Sequence, residues 1–125
     1  MDMRSEEERL IKMFIQNEEL LLNNDGGNDT KKISDIIDAN CIEFSESGKI
    51  NSYYPGKILD DVDGVLYIDD ASAKLINLSE DCKLLLYVAT KVKKNARMKE
   101  NCSSTWKKTN GKWKIIFHQR TNCSG

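Results

Sequence analysis

The sequence predicts an α+β fold in which helices come first and an antiparallel sheet follows. Three observations point there: apolar residues recur at helical spacing before Asp38, they alternate at strand spacing after it, and turn signals punctuate the second half. A chain of 125 residues fits a single domain over residues 1–125, large enough for a core of its own and too small for two.

Ser5 followed by Glu6, Glu7 and Glu8 reads as a capping box, so the first helix is expected to open there, with acids at its positive end. Leu10, Ile11, Phe14, Leu21 and Leu22 then form an apolar stripe that only Glu18 interrupts. Residues 23–29, NNDGGND, cannot continue a helix, and Asp29 or Thr30 can cap a short second one carrying Ile33, Ile36 and Ile37 on one side. Cys41 to Ser45 alternate loosely before the turn Glu46-Ser47-Gly48-Lys49, as in a short β-hairpin. Pro55 suits a first helical turn and places a third, short helix at 54–61, stopped by Asp63-Gly64. Strands are expected at 65–78 with an interruption at 69–72, then at 82–92, 98–108 and 112–121, forming a meander.

Two of these strands are apolar on both faces. Leu84, Leu86 and Val88 alternate with Leu85, Tyr87 and Ala89, and Trp113, Ile115 and Phe117 lie opposite Ile116 and His118. A strand wetted on one side would not be so composed. One face must meet the helices, and a second copy of the chain is the economical cover for the other.

Charge and cysteine usage exclude several function classes. Nineteen Lys and Arg balance 20 Asp and Glu, and a sequence pI near 5.9 offers no field to hold a polyphosphate, so nucleic acid is not an expected partner. The first residues do not read as a secretion signal, and no run approaches the ~20 apolar residues of a membrane span, so a cytoplasmic location is expected. Cys41, Cys82, Cys102 and Cys123 are widely spaced, without metal-site pairs; reduced thiols, no metal and no cofactor are expected.

The ordered set of helices, a hairpin containing F-x-x-S-G, a third helix and a meander ending GKW…H-x-R-T resembles the nuclear-transport-factor-2-like superfamily over essentially the whole chain. Residues 42–50, IEFSESGKI, and 103–121, SSTWKKTNGKWKIIFHQRT, are similar to small bacterial proteins of that superfamily, to its polyketide-cyclase-like members, and to the association domain of calmodulin-dependent kinase II. The most specific feature is the pair Trp106 and Trp113 across an x-x-G-K turn. The resemblance implies a cone: N-terminal helices packed in a strongly curved antiparallel sheet, an amphipathic pocket between them, and a convex face that pairs with another subunit. Isomerases, dehydratases, cyclases and scaffolds share this architecture, so it does not decide function.

Two turns are open between residues 106 and 115. A two-residue turn at Asn110-Gly111 sets Trp106 opposite Ile115. A three-residue loop at Thr109-Asn110-Gly111 sets Trp106 opposite Lys114, Ser104 opposite Ile116 and Cys102 opposite His118. The resemblance favours the loop, because association domains carry pocket arginines at positions matching Ser104 and Arg120. Cys102, Ser104, Trp106, Ile116, His118 and Arg120 are then expected in the pocket beside Leu85 and Tyr87, with Trp113, Ile115 and Phe117 at the dimer interface.

His118, the only histidine, is the candidate catalytic residue, since its ordinary pKa suits proton transfer; the plainer reading is a structural histidine at the pocket rim. Cys102 beside it would be a nucleophile with its base, against a small core cysteine. Glu43 is either a pocket carboxylate or a solvated strand residue. Arg120 either clamps a ligand carboxylate or pairs with Glu100 across the strands. In the resemblance two further pocket arginines correspond to Ala89 and Ser104, which argues against simple transfer of an anionic ligand. The leading expectation is a dimeric small-molecule-binding protein. Its alternatives are a lyase or isomerase of a small carbonyl compound using His118, and an oligomerisation module.

Overall fold

The structure is a computed structural model that describes residues 3–23, 30–53 and 64–123. Helix α1 (Met3–Asn23) and the short α2 (Thr30–Ile36) precede seven strands: β1 (Ile37–Phe44), β2 (Ile50–Ser52), β3 (Val65–Ile68), β4 (Lys74–Ser79), β5 (Cys82–Lys93), β6 (Ala96–Thr109) and β7 (Lys112–Asn122). Ser5 lies inside α1 rather than at its cap, because the helix already begins at Met3. The third helix expected at 54–61 lies outside the described residues.

The strands form one curved sheet in the order β2-β1-β7-β6-β5-β3, with β4 also paired to β5. It is mixed, not purely antiparallel: β1 runs parallel to β7, with Ile42, Glu43 and Phe44 opposite Phe117, His118 and Gln119. Hairpin connections enforce antiparallel neighbours along β5, β6 and β7, whereas β1 reaches β7 from the far end of the chain and is under no such constraint. Between β3 and β4 a single 3-10 turn, residues 70–72, is held by Asp69, whose carboxylate accepts from the Ala71 amide. The Ser72 hydroxyl accepts the Val88 amide at 2.8 Å, so the break leaves that donor satisfied.

Helix α1 lies across the inner face of the sheet. Phe14, fully buried, stacks on Trp106 with ring centroids 4.4 Å apart and meets Trp113 edge-on at 5.6 Å. At the far end Asn23 imitates a strand: its side-chain oxygen accepts the Leu66 amide at 2.7 Å and its amide donates to the Leu66 carbonyl at 2.9 Å. The middle and the C-terminal end of the helix are thereby tied to the sheet, and the core includes Leu21, Leu22, Leu85, Tyr87, Ala89 and Ile115.

The β6–β7 connection corrects the expected register. Thr109 pairs with Lys112 around a two-residue turn, and Asn110 and Gly111 both have positive φ, 53° and 79°, as a type I′ turn requires. Trp106 therefore lies opposite Ile115. A bulge then intervenes: the next pair is Thr105 with Phe117, leaving Ile116 unpaired. One extra residue reverses the parity of everything beyond it, so His118 and Arg120 turn inward although the turn is the short one. Ser104, not Cys102, faces His118, and Cys102 faces Arg120.

Candidate functional site: a buried ladder of charges

Glu18, the residue that interrupts the stripe of α1, points into the core and is 1% exposed. Three donors from the sheet converge on its carboxylate: the Tyr87 hydroxyl at 2.6 Å, the Trp106 indole N–H at 2.8 Å and the Ser104 hydroxyl. Such a carboxylate is solvated by protein instead of water, which is the condition under which a buried charge is tolerated.

His118 continues from it. Its Nε2 lies 3.1 Å from the Tyr87 oxygen and 3.5 Å from Glu18 Oε1, while Nδ1 lies 3.1 Å from Glu43 Oε2. The ring is thus held between two carboxylates, each on a different element. Burial alone would disfavour its charged form, but the Glu18 and Glu43 contacts outweigh that and push its pKa up to about 9. Glu43 feels the same balance from the other side: burial raises it, while the His118 hydrogen bond and charge, then Arg120, hold it below the usual carboxylate range. At neutral pH the pair is an imidazolium with its carboxylate. The Tyr87 hydroxyl, buried and facing Glu18, is pushed well above its ordinary value and stays protonated.

Beyond Glu43 the alternation of charge continues outward. Arg120 Nε is 3.9 Å from Glu43 Oε2, and Arg120 Nη1 donates to Glu100 Oε1 at 3.1 Å. Lys91 Nζ lies 3.8 Å from Glu100 Oε2 and 3.2 Å from Glu46 Oε1. The sequence Glu18, His118, Glu43, Arg120, Glu100, Lys91, Glu46 therefore forms a ladder of alternating sign from the core to the surface. Glu100 sits diagonally from Arg120, whose direct partner is Cys102, so the expected ion pair forms in a register different from the expected one.

Its fold is that of the nuclear-transport-factor-2-like proteins. The association domain of CaMKII from C. elegans superposes with a TM-score of 0.67 at 12% identity, over 94% of this chain and 96% of that one. An NTF2-like protein of unknown function from Prochlorococcus marinus gives 0.66 at 16% identity, over 100% and 96%. A putative ketosteroid isomerase from Parabacteroides distasonis gives 0.60 at 16% identity, over 90% and 85%. No protein-family model matches the chain, and no curated protein matches it. At these identities the likeness shows the nuclear-transport-factor-2-like fold and nothing finer about chemistry.

Within this fold, Leu85, Tyr87, Cys102, Ser104, Trp106, His118 and Arg120 all lie on the inner face and are buried. Ile116, expected beside them, is the half-buried bulge residue. Of the three residues expected at an interface, only Phe117 lies on the outer face. Ile115 is buried in the core at 1% exposure, and Trp113 packs on Phe14, because the two-residue turn gives both the inner parity. Cys102 has no nucleophile's setting: burial, then Glu100, push its thiol far up, and its partner across the strand is not the histidine. Glu18 and Lys91 were not among the expected site residues, and Glu100 was expected only as the alternative partner of Arg120. The one sequence signal for Glu18 was its place in the apolar stripe between Phe14 and Leu21.

Proposed function

We propose that this protein is a self-associating module, a homodimer that buries the outer face of its sheet, and that its polar interior serves the fold rather than catalysis. The observation that carries this is a cross-strand row on the outer face, formed by Ile42, Phe117, Thr105, Leu84 and Ile76 on β1, β7, β6, β5 and β4. Phe44 packs edge-on against Phe117 at 5.2 Å and is 44% exposed, and Leu86 and Val88 extend the surface along β5. An apolar row on β1, β7, β5 and β4, crossed by Thr105 on β6, in a chain of mean hydropathy −0.56 is the mark of a surface that meets another one. Among the solved structures of this fold, the C. elegans example is named an association domain, which supports the same reading.

The interior supports it from the other side. His118 has both ring nitrogens engaged by carboxylate or hydroxyl groups, and the two carboxylates raise its pKa to about 9, which favours a structural ion pair over a group poised for proton exchange near neutrality. Two surface grooves among the described residues, of about 680 and 470 Å³, lie one over Leu10, Leu75 and Trp113 and the other over Ile11, Ile15 and Ala73, and neither is lined by a member of the ladder. A second reading, a small polar ligand held in the interior, draws on two buried atoms without a hydrogen-bond partner, Glu100 Oε2 and Arg120 Nε. The two readings separate by experiment. Replacing Leu84 with Glu should abolish self-association in sedimentation while the chain stays folded; a variant that remains dimeric would overturn the first reading.

A further inference from the structure

The parallel contact of β1 with β7 is short. Three consecutive residue pairs make it, Ile42 with Phe117, Glu43 with His118 and Phe44 with Gln119, and an irregularity separates them from the pair Ile37 with Ile115. On its other side β1 pairs with the three-residue β2, and the Tyr53 amide just beyond it donates to the Cys41 carbonyl at 3.0 Å. Backbone hydrogen bonds are the same in any register, so side chains must choose among registers, and a one-residue slip would exchange the two faces of β1. On the inner face the only charged residue of this stretch is Glu43, in contact with His118 Nδ1 at 3.1 Å and with the Asn51 amide of β2 at 3.4 Å. On the outer face the same register brings Phe44 onto Phe117 and sets Ile42 at the end of the apolar row.

We propose that the buried Glu43–His118 ion pair sets the register of β1 on β7, so that the charge state of the histidine controls whether the outer apolar row is assembled. The link to assembly rests on the self-association reading above; the register assignment does not. Among the described residues, the titratable and charged groups that face His118 are Glu18 from α1, Glu43 from β1 and Tyr87 from β5, with Arg120 of its own strand next to Glu43. Glu18 keeps three other donors when the histidine loses its proton. Glu43 loses the ionic part of its His118 contact and, besides a neutral Nδ1–H, has among the described residues only Asn51 at 3.4 Å and the Arg120 guanidinium at 3.9 Å, so β1 is the element whose hold weakens. Buried ion pairs are better attested as devices of register than as sources of stability.

Amide exchange on the whole chain, read as protection factors, tests this. In Glu43→Leu the amides of residues 42 to 44 should lose about tenfold or more in protection beyond whatever fall the amides of β5 and β6 share. Raising the wild type from neutrality to about pH 10 should give the same local pattern and remove the contact between the Phe44 and Phe117 rings seen by NMR. Should Glu43→Leu fail to fold, Glu43→Gln, which can still accept from Nδ1–H, should show the pattern at smaller amplitude. A uniform fall across all strands, or unchanged protection in β1, would overturn the proposal. A wild-type chain that sediments as a monomer would instead overturn the self-association reading, leaving the register to the protection pattern.

Discussion

The two faces of one sheet divide their residues against the usual rule. The inner face, where an apolar core is expected, carries the buried Glu43, Glu100, His118 and Arg120 and receives Glu18 from the helix. The outer face, where polar residues are expected, leaves Ile42, Phe44 and Ile76 at 40% exposure or more, in line with Leu84 and Phe117. Each face is physically consistent only with a different neighbour. Inside, charges of opposite sign alternate rung by rung, and among the described residues Glu100 Oε2 and Arg120 Nε are buried without a hydrogen-bond partner. Outside, apolar surface is left for another surface to cover.

The inner face should break most severely. Replacing His118 with Ala leaves Glu18 and Glu43 buried and facing each other without the cation between them, and should cost about 3–5 kcal/mol in urea unfolding. His118→Gln, which keeps a donor, should lose less. The outer face should respond in the opposite way. Leu84→Glu is expected to weaken self-association by about a hundredfold or more, read by sedimentation, while the unfolding free energy of the separated chain moves by no more than ~0.5 kcal/mol.

Acid and alkali should distinguish the faces further. The folded pKa of His118, about 9, stands above its unfolded 6.5, so its contribution to stability is complete below pH 6.5 and is lost as pH rises through about 9. Glu43 is shifted down, so its contribution is present above pH 4.5 and is lost as pH falls below it. Urea midpoints measured across this range should be highest at intermediate pH, and the alkaline fall should flatten in His118→Gln. The smallest effect is expected at the turn. Gly111→Ala puts a Cβ at φ 79° and should cost about 1 kcal/mol without moving either face, because the bulge at Ile116 decides the parity beyond it.

Much of the fold was legible because periodicity changes where the structure changes: helical spacing through Leu22, then alternation from Cys82 to Thr121. The parallel placement of β1 was not legible, since nothing in Cys41 to Ser45 states which strand it meets. The bulge at Ile116 was equally hidden, as an apolar residue between Ile115 and Phe117 fits a regular strand. It explains a divided outcome: the short turn holds, His118 and Arg120 face inward, and Trp113 and Ile115 leave the expected interface for the core. The ladder was half legible. His118 and Arg120 were expected inward on the resemblance, through a three-residue loop that does not form, and Glu43 was an open alternative, whereas Glu18 looked like a flaw in a stripe until the sheet brought three donors to it.

The most direct test is the mass of the wild-type chain in solution at micromolar concentration and neutral pH, measured by sedimentation equilibrium. If the outer apolar row is an interface, the mass is twice that of the 14.3 kDa chain and falls to the single-chain value in Leu84→Glu. A wild-type chain that stays at 14.3 kDa across that range would contradict it.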